Sequence, residues 1–181
     1  PKVEVRPFNT MAGQTTVYGV RLPISKQIPS GGTIVLTFPS GFDVTSARQD
    51  VNSPGRKDLN GPATGTIRFR CNIDATANRS CGGSATNSAE TGSTEGGLSD
   101  DGVSVDVSAR TVTVYLNGAT NSEGHDFLSI DIAGVKNSTV PKDFNTSGYT
   151  VDVKTKDGST ILDSLTSSAF FIQSAGANTL S

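Results

Sequence analysis

Apolar and polar residues alternate with a period of two in short runs along most of the chain, and no window holds a helical period over three turns. Val3-Glu4-Val5-Arg6 alternates and stops at Pro7, which predicts a first, edge strand. Thr15 to Leu22 places Tyr18, Val20 and Leu22 on one face before Pro23. Pro29-Ser30-Gly31-Gly32 reads as a turn. Thr33 to Phe38 follows, with Ile34, Leu36 and Phe38 on one face and Val35 and Thr37 on the other. Phe42 and Val44 continue the alternation past Pro39-Ser40-Gly41. Val103, Val105 and Val107, then Val112, Val114 and Leu116, predict a hairpin turning at Ser108-Ala109-Arg110, and Asn117-Gly118 is a turn dipeptide. Further strands are expected at Phe127 to Val135, with Leu128, Ile130 and Ile132 together, at Tyr149 to Thr155, and at Ala169 to Gln173. The sum is about eight to ten strands at the spacing of a Greek-key sandwich.

The pattern breaks from Ser46 to Gly102. Gly65 to Cys71 holds one strand, with Ile67 and Phe69 opposite Arg68 and Arg70. Between Asp74 and Gly102 the only large aliphatic residue is Leu98, too little to offset the entropy of ordering the segment. The expectation is one β-sandwich domain over residues 1–181, with 46–102 as a loop-rich surface insertion. Cys71 and Cys81 lie in that insertion. A disulfide between them would close a small ring and stabilise by roughly 2–3 kcal/mol. That pairing implies an oxidising compartment, two free thiols being the alternative. The chain begins at Pro1 without an initiator Met or a signal-peptide pattern, which reads as a mature terminus left by processing, or as a trimmed chain.

Several residue sets resemble a known family. The frame runs through Ile28-Pro29, Gly31-Gly32-Thr33-Ile34, Leu36-Thr37-Phe38-Pro39 and Gly41-Phe42-Asp43-Val44. It continues in Ile130, Ile132, Gly134-Val135 and Asn137, and ends in Tyr149-Thr150-Val151, Val153, Thr155 and Asp157-Gly158. It resembles the immunoglobulin-like modules repeated in secreted bacterial and archaeal surface proteins, over roughly Val3 to Val44 and Val103 to Ile172. The resemblance implies a β-sandwich used in cell-surface architecture or adhesion. The 46–102 insertion departs from it.

Composition narrows the chemistry. The net charge is −2, charged residues make up 18% of the chain, and no basic stripe exists, which argues against nucleic acid as a partner. No apolar run approaches the roughly 18 residues of a membrane span. The single His125 sits in the polar run Asn121 to Asp126 without a G-x-S-x-G elbow, so no catalytic residue and no enzyme activity is expected. Asp100 and Asp101, expected in a turn just before a strand, could offer oxygen ligands to Ca2+ with Asp43 or Asp126 from other loops, or form a solvated acidic turn; no D-x-D-x-D-G loop is present, and no metal or cofactor is expected. Asn78, Asn137 and Asn145 begin N-x-S/T sequons in predicted loops, and the 84–99 stretch is an O-glycan candidate. Two function classes remain. The preferred one is an extracellular, self-assembling structural subunit of a filament, sheath or surface layer, its partners being copies of itself or neighbouring surface proteins. Terminal strands would be lent to a neighbour, with Val3, Val5, Phe170, Phe171 and Ile172 as contact candidates. The alternative is an adhesin or carbohydrate-binding module using Tyr18, Tyr115 and Tyr149.

Overall fold

The computed structural model describes residues 2–29, 31–49, 67–70, 98–116 and 127–176. Its strands are β1 (Glu4–Pro7), β2 (Thr15–Pro23), β3 (Thr33–Thr37), β4 (Arg48–Gln49), β5 (Ile67–Arg70), β6 (Leu98–Asp106), β7 (Thr111–Leu116), β8 (Phe127–Lys136), β9 (Asp152–Asp157) and β10 (Thr160–Thr166). They form two five-stranded sheets. The first runs β1-β2-β8, and β4 and β5 share the far edge of β8; the second runs β10-β9-β3-β7-β6. All of these strand pairs are antiparallel. The chain changes sheet after β2, β3, β5, β7 and β8, so strands adjacent in sequence are often in opposite layers. This is an all-β, immunoglobulin-like sandwich.

Alternation decides which residues meet between the layers. Tyr18, Val20 and Leu22 of β2, Ile34 and Leu36 of β3, Val112 and Val114 of β7, Ile130 and Ile132 of β8, and Val153 of β9 are all buried in one core. Rings fill one end of it. Tyr18 packs edge-on to Phe38 and Phe170 at centroid distances of 5.3 and 5.6 Å, and Phe42 packs edge-on to Tyr149 at 4.9 Å. Edge-to-face rings place positive edges on negative faces and add to the area term.

The residues that carry the family resemblance are structural. Phe38, Phe42 and Val44 are core, and Asp43 pairs antiparallel with Lys136 at the end of β8 through two main-chain bonds, of 3.1 and 2.9 Å. Gly134 stands at φ +81°, and a Cβ there would lie 2.0 Å from the Ser46 carbonyl oxygen, so only glycine fits.

The described parts of the 46–102 stretch supply β4 and β5 to the edge of β8, β5 falling inside the strand expected from Gly65 to Cys71, and β6 begins at Leu98. Two expectations change. Asp100 and Asp101 fall within β6 and not in a turn before it. The final strand expected at Ala169 to Gln173 is instead a run of single bridges, from Phe170 to Tyr149, Ile172 to Lys142 and Gln173 to Met11. Ahead of it lies β10, which the sequence reading did not find.

Candidate functional site

The N-terminal segment closes one side of the sandwich and touches both layers. β1 pairs with β2, aligning Val5 with Val20 and Pro7 with Tyr18. One residue earlier, Val3 bridges to Ser167 beyond β10, in parallel, and its carbonyl accepts from the Ser168 amide at 2.8 Å. Further along, Met11 bridges in parallel to Gln173; the Gln173 amide donates to the Thr10 carbonyl at 2.7 Å, and the Ala12 amide donates to the Gln173 carbonyl at 2.8 Å. Segments 3–11 and 167–173 thus run side by side in the same direction. Glu4 and Arg6 face outward in an exposed ion pair of 3.4 Å, a contact of little energetic weight.

The tight turn between β1 and β2 is held from across the molecule. Gln14 donates back to the Met11 carbonyl at 3.3 Å, and Gly13 takes φ +74°. Asn137, at the end of β8, is 1% exposed. Its Nδ2 donates to the carbonyls of Asn9 and Met11, both at 2.8 Å, and its Oδ1 accepts from the Tyr18 hydroxyl at 2.5 Å. Its main-chain amide donates to the Gln14 carbonyl at 2.8 Å. Burial raises the Tyr18 phenol far above its ordinary range, and the Tyr149 hydroxyl nearby adds to the effect.

Beyond Asn137 the chain forms a hydrogen-bonded loop, 138–148. The Tyr149 hydroxyl lies 2.6 Å from the Val140 carbonyl and 3.1 Å from Ser138 Oγ; a carbonyl has no proton, so the tyrosine donates to it. Lys142 Nζ stands 4.5 Å over the Tyr149 ring. Asp143 organises the tip: its Oδ1 accepts from the Asn145 amide at 2.9 Å, and its carbonyl accepts from the Thr146 amide and hydroxyl at 3.0 and 2.7 Å. The result holds Val140 60% and Phe144 71% exposed, and Phe144 packs against Phe171 at 5.7 Å.

The terminal-strand candidates therefore separate. Val3, Val5, Phe170 and Ile172 are core residues of their own sandwich, so their side chains are not free for subunit contact in this form. Phe171 is half-buried, and Phe144 supplies its cover. Asn137, the glycan candidate at the end of β8, is buried with its Nδ2 enclosed and both amide hydrogens in use. Asn145 is exposed. Tyr18 and Tyr149 belong to the aromatic core and form no surface platform with Tyr115, whose ring is 38% exposed. Cys71, Cys81, Asn78 and His125 lie outside the described residues. Among the described residues, no group of three or more His, Cys, Asp or Glu side chains converges as metal ligands would, and no helix is long and apolar enough to cross a membrane.

Sequence reading missed Phe144 and Val140. Neither belongs to a periodic run; the available signal was two large apolar residues inside a polar, sequon-bearing loop.

Comparison with known proteins adds a narrow result. No family model matches the chain, and no curated protein matches it. Among solved structures it is similar to BslA, described as a bacterial hydrophobin, at a TM-score of 0.39 and 12% identity over 96% of each chain. It is also similar to an uncharacterized protein from Nocardia farcinica described as having an immunoglobulin-like fold, at a TM-score of 0.39 and 12% identity over 92% of this chain and 96% of that one.

Proposed function

We propose that the chain is a non-enzymatic, extracellular structural subunit that assembles with copies of itself into a surface filament, sheath or layer. The observation that supports this reading is the way the N-terminal segment closes the sandwich. It is an edge strand anchored by two buried valines, Val3 and Val5, and by main-chain bonds to both sheets. A segment of that kind can be supplied by a neighbour with the same bonds and the same buried side chains, and the 9–14 turn is the hinge that would open. Main-chain pairing gives the affinity, and alternation of inward Val3 and Val5 with outward Glu4 and Arg6 gives the register.

Two experiments test it. Deleting residues 1–7 should convert polymers seen by light scattering and electron microscopy into monomers; a wild-type chain that is monomeric at all concentrations, or polymers unchanged by the deletion, overturns the reading. A Val5→Cys, Val20→Cys double variant places thiols on directly opposed positions of β1 and β2. Oxidised polymers of it should run as covalent ladders on a non-reducing gel. Bridges formed only within single chains would eliminate strand exchange as the mode of assembly.

A further inference from the structure

The 138–148 loop joins two features that have no explanation separately. Phe144 is a 71% exposed aromatic residue, held out on a turn that hydrogen bonds keep fixed. Asn145 is the next residue, exposed, and it opens the sequon Asn145-Thr146-Ser147. The structure separates this sequon from Asn137-Ser138-Thr139, where the asparagine is buried and its amide is occupied. We propose that Asn145 carries an N-linked glycan whose first sugar lies over the Phe144–Phe171 pair.

The chemistry is that of an ordinary sequon. The Asn145 Nδ2 bonds to the anomeric carbon of a sugar carried as a phosphate-linked donor. The sugar–phosphate bond breaks, the phosphate leaves with the bonding electrons, and the amide gives one proton to a base of the host's transferase. The Asn145 side chain makes no hydrogen bond that the modification must break, because its turn contact to Asp143 uses the main-chain amide. The occupant follows from position: a pyranose on Asn145 starts one residue from Phe144, and its C–H face is apolar enough to cover a ring that water otherwise surrounds. This inference is independent of strand exchange, since it involves neither β1 nor the hinge.

Trypsin places the two sequons on different peptides, because Lys136, Lys142 and Lys154 flank them. In protein secreted by the organism that encodes it, the 143–154 peptide should appear at the mass of an added oligosaccharide and the 137–142 peptide at its bare mass. Ser147→Ala, which leaves Asn145 in place, should return the first peptide to its bare mass. A bare 143–154 peptide in the native protein, or a glycan on Asn137, overturns the proposal. The contact with the rings is tested by a double-mutant cycle on the thermal midpoint. Loss of the glycan through Ser147→Ala should lower the midpoint by a few degrees in the wild-type chain and leave it unmoved when Phe144→Ser is already present. Equal shifts in both backgrounds would mean that the sugar does not lie on the ring.

Discussion

At the scale of single residues, Asn137 does more than any other side chain to hold the N-terminal turn. Replacing it with Ala removes the donors to the Asn9 and Met11 carbonyls and strips the Tyr18 hydroxyl of its acceptor, leaving buried polar groups unsatisfied. The expected cost is about 3 kcal/mol, read as a fall in the denaturant midpoint, with Tyr18→Phe costing about half as much. Tyr18 also sets an alkaline limit. Its folded-state pKa lies above the unfolded value of 10.0, so the folded protein holds the phenol proton longer. Stability is then unaffected below about pH 10 and falls as pH rises beyond it toward the folded-state value. An absorbance titration should show Tyr18 ionising only together with unfolding; Tyr18 ionising in a still-folded chain would contradict the burial. Asp43 acts at the other end of the scale. Hydrogen bonds from the Thr45 hydroxyl and amide hold its carboxyl below the usual range, so its contribution is present above about pH 4 and is lost as pH falls through the folded-state value. The sequence marked Asn137 as a sequon and as a position of the family frame, but not as a buried anchor. Its fourfold bonding depends on Tyr18, Asn9, Met11 and Gln14, residues more than a hundred positions away, and no local pattern encodes that meeting.

At the scale of elements, legibility followed the number of inward-facing residues. β2, β3, β7 and β8 each bury two or more large side chains at alternate positions, and their periodicity announces them. β10 buries none completely: it is an edge strand whose Ile161 is 50% exposed, and a bulge between Ile161 and Asp163 interrupts its register. What does mark it is Asp157-Gly158, the turn of a hairpin in which Asp157 faces Thr160. Two glycines give a contrast that can be measured. Gly158 has φ +56° with open space where a Cβ would go, so Gly158→Ala should cost only about 1 kcal/mol of backbone strain. Gly134→Ala adds a collision with the Ser46 main chain and should cost several-fold more, enough to be seen as lost expression or a collapsed thermal midpoint. Similar midpoints for the two variants would place the Ser46 segment elsewhere. The edge of β10 is also guarded, since Lys26 Nζ donates to the Leu162 carbonyl at 2.8 Å, as expected of an edge kept from sideways growth.

At the scale of the whole molecule, sandwich class was legible because two facing layers require alternating strands, and this chain has them on both sides of residues 46–102. Pairing was not. β8 takes β2 on one side and β4 and β5 on the other, and β4 has only two residues, too few to show any period. Assembly belongs to this scale as well. If β1 exchanges between copies, weakening the Asn137 hold on the 9–14 hinge should speed polymer growth, because closed monomer and open donor differ by those bonds. Asn137→Ser at low denaturant should therefore polymerise faster than wild type by light scattering; a rate that is unchanged or slower would mean that the hinge does not open on the path to polymer.

The parallel run of segments 3–11 and 167–173 has a mechanical consequence. Tension drawing the chain outward before Val3 and after Gln173 pulls the two segments lengthwise past each other in opposite directions. The main-chain bonds at Val3, Thr10 and Gln173 then bear the load together, in shear, whereas a zipper would open them one at a time. Resistance to force is a rate property, set by the barrier to that first sliding step. The same geometry would hold if the 3–11 segment came from a neighbouring copy, so a string of such subunits would transmit pull through its joints as firmly as through its bodies.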